Sequence, residues 1–343
     1  MDLARRTDVS VTIGGHDATS YISPSLLSFS YSDNASGKAD SIQLELHDRD
    51  GKWADAWAPE KGTDIQAAVT CLNWVDNIKS LSLSFGAFVV DSVEHNGPPD
   101  KISIKAVSAS LNSDLRDTKR TKAWEAYDLE RMASEVATKY GLVLLYTAPT
   151  YTFARMDQRE ESDLAFITRL ANERGVMCKV HNGKLALYDG QDADAQTTSF
   201  TIAKRGGQFS PKSYQFTRKS HGTAYSTCSV SYLDPSTETT ITATYDVSGN
   251  VASATGTKNL LVNQRVESEA EAKTLAQKSL RKANTAECTG SLEIMGHPYF
   301  LAGITIELTG FGSYSGQYFV ESVEHRVGDG YTCSAKIRSV LEY

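Results

Sequence analysis

Three groups of residues in this 343-residue chain are of the types that chemistry needs. Glu160, Glu161 and Asp163 cluster carboxylates as glycosidases do, where one protonates a leaving group and the other attacks or activates water. His95 and His325 each follow a glutamate in a segment written twice, GAFVVDSVEH at 86–95 and GQYFVESVEH at 316–325, which raises a Glu–His couple or a metal site. Cys71, Cys178, Cys228, Cys288 and Cys333 are candidate nucleophiles or soft metal ligands.

Spacing speaks against each. The carboxylates flank a predicted helix start, where the macrodipole favours acidic groups without any catalytic role. Neighbours in a strand face opposite ways, so Glu94 and His95 cannot converge on one ligand, and the histidines read as strand-end residues bonded to a turn. His16, His47, His181, His221 and His297 show no metal-ligand spacing. An odd number of cysteines without Cys-x-x-Cys reads as reduced, buried apolar residues. Neither a nucleophile elbow nor a phosphate-cradling loop occurs. Arg116, Lys119, Arg120 and Lys122 form a basic cluster, read as a solvated linker or interface patch. The expectation is a protein with no catalytic, cofactor-binding or metal-binding residues and no cofactor.

Composition agrees. The chain is 40% hydrophobic and 22% charged, enough to bury a core, and its net charge of −7 gives no support for stable nucleic-acid binding. The start lacks the apolar stretch of a signal peptide, and the apolar run Leu142–Tyr146 is far too short to cross a bilayer, so no membrane insertion is expected.

The elements that position these residues fall into three texts. Residues 1–113 alternate in period two, as at Val9, Val11, Ile13 and at Ile42, Leu44, Leu46, and predict an antiparallel barrel without helices. Residues 114–200 predict a small α+β domain. It has one helix through Leu129, Met132, Ala133, Val136 and Ala137, a second capped by Ser162, and a hairpin at Asn182-Gly183. Residues 201–343 revert to strands, with an inserted helix at 268–284 opened by the capping pattern Ser268 and Glu271.

The repeat extends beyond four letters. Gly86, Phe88, Val90, Ser92, Val93, Glu94 and His95 align without a gap on Gly316, Tyr318, Val320, Ser322, Val323, Glu324 and His325. In the same order, Gly62 with Ile65 matches Gly303 with Ile306, and Ile102, Ile104, Ala106 match Cys333, Ala335, Ile337. Ile42, Leu44, Leu46 are set against Cys228, Val230, Tyr232, and Ser23-Pro24 with Phe29 against Ser210-Pro211 with Phe216. The expected fold is a β-rich α+β multidomain chain, with two similar antiparallel β-barrel domains and a small α+β domain between them.

ADSIQLELHDRDGKW, GAFVVDSVEH, RTKAWEAYDLERMASEVATKYGL, QREESDLAFITRLANERGVMCKVHNGKL, SEAEAKTLAQKSLRKAN and MGHPYFLAGITIELTGFGSYSGQYFVESVEH, in that order, resemble the phage late control gene D family. These are tail or baseplate hub proteins of contractile phages and related injection systems. The resemblance implies a structural homotrimer whose six barrels match a sixfold tail tube while another face holds a trimeric spike. It implies a tail tube or tube-initiator protein, a trimeric spike and other baseplate proteins as partners, with DNA passing through the lumen. The implied location is the tail of a virion or phage-like particle assembled in the host cytoplasm. With the chain ending at Tyr343, a spike tip or lysozyme-like domain is expected on a separate chain.

Two alternatives remain from the residues themselves. Glu160, Glu161 and Asp163 would serve a tail-associated peptidoglycan hydrolase. Trp53, Trp57, Trp74 and Trp124 would serve a carbohydrate-binding tail protein, although no stacking platform shows in sequence.

Overall fold

The structure, a computed structural model, describes residues 4–74, 80–108, 113–219, 223–234, 238–247 and 258–343, so His221 lies outside the described residues. It is 52% strand and 17% helix, β-rich as the alternation demands.

The first stretch carries β1 (Arg6–Ile13), β2 (His16–Asp17), α1 (Thr19–Ile22), β3 (Leu26–Asn34), β4 (Ser41–His47), β5 (Asp64–Leu72), β6 (Leu81–Asn96) and β7 (Lys101–Ser108). The short α1 corrects the expectation of no helix there; Asp17 accepts the Thr19 amide at its start. The middle carries α2 (Ser113–Asp117), β8 (Lys119–Asp128), α3 (Leu129–Lys139), β9 (Val143–Tyr146), β10 (Thr152–Ser162), α4 (Asp163–Glu173), β11 (Val176–His181), β12 (Lys184–Asp189) and α5 (Gly190–Asp194). The remainder carries β13 (Phe200–Ala203), β14 (Pro211–Arg218), β15 (Thr227–Asp234), β16 (Thr239–Asp246), β17 (Asn259–Val262), α6 (Glu269–Asn284), β18 (Cys288–Met295), β19 (Thr305–Thr309), β20 (Gly316–Gly328) and β21 (Gly330–Ser339).

One sheet joins both ends of the chain, in the order β14-β18-β21-β20-β3-β4-β7-β6-β5-β1-β2, with β19 on β20 and β13 on β19. The two ends meet where β20 pairs with β3, from Ser322 opposite Asn34 to Val327 opposite Phe29. Alternation sets the faces: Ile42, Leu44 and Leu46 of β4 are buried while Ser41, Gln43 and Glu45 are not. One hydrophobic cluster runs from Val9 to Ile337 through both ends.

The middle segment has a separate core around Phe166, Leu170, Met132 and Leu187. Ser162 caps α4 by accepting the Ala165 amide at 3.2 Å, and Asp128 caps α3 by accepting that of Arg131 at 2.7 Å. Asn182 and Gly183 take φ of 47° and 72°, the two left-handed residues that a two-residue hairpin turn requires.

Between β14 and β18 the chain inserts more than a helix. Strands β16-β15-β17 form their own sheet, and α6 packs on it through Ala272, Leu275, Ala276 and Leu280 against Cys228 and Val230. Cys228, Val230 and Tyr232 therefore do not answer Ile42, Leu44 and Leu46. By register those three correspond to Gly290, Leu292 and Ile294 of β18, opposite Ile337, Ala335 and Cys333.

A buried ionic cluster ties the parts together. Asp194 of α5 receives Arg338 of β21 at 2.7 Å and also Arg281 of α6, whose guanidinium donates in addition to the Leu341 carbonyl at 2.9 Å. Lys278 of α6 meets Asp189 at 2.8 Å. Removing one partner strands the others without water. Asp194→Ala is expected to cost about 3–5 kcal/mol in urea unfolding, whereas Glu125→Ala, which breaks the exposed pair with Arg155, should leave the unfolding midpoint nearly where it was.

Candidate functional site

The repeated segments occupy matching strands. β6 pairs with β7 and β20 with β21, each with a bulge at one point of the repeat: between Val90 and Ser92, and between Val320 and Ser322. Val90 opposes Ala106 and Val320 opposes Ile337; Ser92 opposes Lys105 and Ser322 opposes Lys336. The neighbouring turn repeats too. The Val90 amide donates to Thr63 and its carbonyl accepts Gly62, both at 2.9 Å. The Val320 amide donates to Ile304 at 2.9 Å and its carbonyl accepts Gly303 at 2.8 Å. Gly62 and Gly303 hold φ of 89° and 90°, a conformation that disfavours any side chain.

The strand order β3-β4-β7-β6-β5 is matched by β14-β18-β21-β20-β19. The match lapses at the next strand: β1 runs antiparallel to β5, β13 parallel to β19. Register also corrects one sequence pairing, since Phe216 falls opposite Gly290 as Tyr31 falls opposite Ile42. Phe29 thus answers Tyr214, not Phe216.

The face turned away from the core repeats as well. Glu45 and Glu293, Ser92 and Ser322, Glu94 and Glu324, Ser103 and Ser334, and Lys105 and Lys336 hold equivalent register positions, and none is buried. Core positions recur because packing demands apolar residues; outward positions carry no such demand. Around β14, β18, β21, β20 and β3 this face forms a groove of about 510 Å³ lined by Ser213, Ser291, Ser322, Ser334, Glu293 and Glu324.

The candidate chemical groups are not brought together for catalysis. Glu160 is exposed in a bulge with φ of 48°, and Glu161 is held by Arg169 at 2.6 Å. Asp163 is buried and accepts Lys139 at 2.6 Å, Tyr140 at 2.8 Å and Gln158 at 2.8 Å. Burial alone would raise its pKa, but these hydrogen bonds outweigh burial and lower it. In the basic cluster, Arg116 pairs with Asp117 at 3.0 Å and Lys122 with Glu135 at 2.5 Å.

The two repeated histidines differ sharply in setting. His95 is exposed, 4.0 Å from Asp100 across its hairpin. His325 is fully buried, its Nδ1 2.8 Å from the Tyr331 hydroxyl and 3.3 Å from the Cys333 sulfur. That resembles a thiol–imidazole couple in distance only. Burial pushes the Cys333 thiol up to about 12 and the imidazole down to about 4, so both are neutral where a nucleophilic pair would be ionised. All five cysteines are free and buried. Among the described residues no cluster of His, Cys, Asp and Glu could hold a metal ion. Sequence reasoning missed one aromatic grouping: Trp53 and Trp57 lie 5.4 Å apart, with Tyr21 5.3 Å from Trp57.

The fold is that of the 43 kDa tail protein of prophage MuSo2 from Shewanella oneidensis, at TM-score 0.73 and 13% identity over 97% of this chain and 98% of that one. A tail protein from Neisseria meningitidis gives TM-score 0.72 at 13% identity, covering 97% and 96%. An Escherichia coli component of the type VI secretion system gives 0.58 at 10%, covering 99% and 76%. Residues 89–331 match the phage tail baseplate hub (GPD) family, and the chain belongs to that family, one of structural hub proteins rather than enzymes. It is 33% identical over 214 residues to the probable baseplate hub protein of Escherichia phage 186, covering 57% of this chain and 52% of that protein. It is 33% identical over 195 residues to that of Escherichia phage P2, covering 55% and 47%. The chain spans about half the length of the curated relatives it matches.

The His325 imidazole titrates lower folded than its ordinary 6.5, so its contribution is intact above pH 6.5 and is lost as pH falls from there towards 4. The slope is about 1.4 kcal/mol per pH unit in that window. His297, also lowered by burial, adds in the same sense. Stability measured from pH 7 to pH 4 should fall less steeply in His325→Gln than in the parent.

Proposed function

We propose that the chain is a baseplate hub subunit that assembles as a homotrimer, with two similar β-barrel domains in each copy. The domains run over 1–113 and 201–343, the second interrupted by the insertion that carries α6, with the α+β domain 114–200 between them. Six barrels then form a pseudo-sixfold ring that seats a hexameric tail tube or its initiator on one side, while the other side stays threefold for a trimeric spike and further baseplate proteins. The observation that carries this reading is the outward face, where Glu, Ser and Lys recur at equivalent register positions in both halves. A surface used six times around a ring needs the same residues in each half, and a monomer has no such need.

The polar wall suits a channel. Short serines and balanced Glu and Lys give DNA nothing to stack on and little net field to hold it, consistent with passage rather than binding. The particle would be a virion tail or phage-like injection machine assembled in the host cell.

Light scattering on purified protein, with electron micrographs of tail particles, tests the reading. The expected results are a mass of three chains and a ring of threefold symmetry with sixfold modulation. A protein that stays monomeric and is absent from tail particles overturns it.

A further inference from the structure

Tyr21, Trp53 and Trp57 meet where α1 faces the loop after β4, around a surface recess of about 400 Å³, which falls within the roughly 300–1,000 Å³ of small-molecule sites. The loop is held by its own backbone. Both oxygens of the Asp48 carboxylate accept amides, from Trp53 at 3.0 Å and Ala54 at 2.9 Å, and the Trp57 amide donates to the Lys52 carbonyl at 2.9 Å. Trp53 is thereby fixed in the core, while Trp57 stays 38% exposed and Tyr21 57%. The rings stand edge to face, Tyr21 and Trp57 at 72° and Trp53 and Trp57 at 79°. The other two tryptophans take no part: Trp74 donates its indole N–H to the Gly296 carbonyl and Trp124 to Gln158.

Unpartnered polar groups collect at the same place. Among the described residues five buried side-chain nitrogen or oxygen atoms lack a hydrogen bond, and two of them, His47 Nδ1 and Trp53 Nε1, belong to residues lining this recess. His47 Nε2 lies 3.0 Å from the Pro24 carbonyl, which can only accept, so Nε2 carries the proton and Nδ1 of the neutral ring is an acceptor. Trp53 Nε1 is a donor only. A spare acceptor beside a spare donor suits a group that does both, and that group is a hydroxyl.

Charge speaks against the other ligand that aromatic corners take. A cation would stack on Trp57, but the Lys52 ammonium already lies 5.1 Å from the centre of that ring. Arg49 and Lys52 on the lining are matched by Asp48 and Asp50, so neither a cation nor an anion meets a net opposite charge. We propose that the recess binds a neutral saccharide, a pyranose ring laying its C–H face on the exposed aromatic rings and turning hydroxyls toward His47 and Trp53. The slightly positive C–H bonds of a sugar face suit the negative face of an aromatic ring. Because the two unpartnered atoms are buried, reaching them takes a shift of the lining side chains, which the exposed Tyr21 is free to make. Every lining residue comes from residues 20–57 of one copy, so the site does not depend on the ring proposed above.

Saturation-transfer NMR on the full chain, with maltose, cellobiose, lactose and chitobiose at millimolar concentration, tests the site, followed by titration of the sugar that responds. At least one should receive saturation on its ring protons, with affinity lowered at least about tenfold in Trp57→Ala and in Tyr21→Ala. Both variants are checked against the far-ultraviolet circular dichroism of the parent, and the exposed Tyr21 keeps the test open if Trp57→Ala fails to fold. Tyr214→Ala, which removes an exposed aromatic ring on β14, should bind as the parent does. No response from any of the four sugars overturns the proposal. So does unchanged affinity in Tyr21→Ala, or equal weakening in Tyr214→Ala. Tetramethylammonium bound more tightly than every sugar would make the corner a cation site and overturn it too.

Discussion

A strand inside a sheet must satisfy its backbone donors and acceptors on both sides, and here a single strand does so in three ladders. β20 pairs with β21 along its length, with β19 from Gly316 to Phe319 and with β3 from Ser322 to Val327. The bulge at Glu321 separates the last two. One extra residue on β20 increases the local twist and turns the strand from one neighbour to the other. Without that turn β3 would be an edge, and Phe29 and Tyr31 would lie as exposed as their counterparts on β14. The continuous core from Val9 to Ile337 depends on this crossing.

The α+β segment is attached at the crossing by buried polar groups. Asp33 of β3 receives Lys179 at 2.5 Å and the Ala302 amide at 2.8 Å, and Asp40 meets His181 at 2.8 Å. Burial, and Asp40 beside it, raise the pKa of Asp33, and the neighbouring Lys179 ammonium pulls it back in part. On the other side Asp194 holds Arg281 and Arg338. Such pairs add little net stability compared with apolar packing, but each is costly if half made. Their effect is positional: the segment has one place to sit.

Much of this was legible in the sequence because strand chemistry is local. The gapless match of Gly86 through His95 with Gly316 through His325 marks matching strands, and Gly62 with Gly303 marks the turn that crosses them. The helices starting after Ser162 and Ser268 follow from caps that the structure displays, and the one through Leu129, Met132 and Val136 from its apolar spacing. Other features were hidden for physical reasons. The counterpart of β4 was mistaken because Gly290 stands where Ile42 does, breaking the apolar alternation, while the inserted β15 alternates well. Gly290 is required there: a Cβ would lie 2.6 Å from the Phe216 ring. The repeated Glu, Ser and Lys on the outward face carry no periodic signal until register aligns them. The contrast between His95 and His325 was invisible because burial depends on partners far along the chain.

The five thiols leave a separate mark. Burial lifts Cys71, Cys178 and Cys228 to about 11 and Cys333 to about 12, so these four carry almost no thiolate at neutral pH, and no cysteine is within reach of solvent. A chain of this kind has no disulfide holding its fold and presents no thiol at its surface. Its cysteines would stay as they are whether the water around the particle were reducing or aerated.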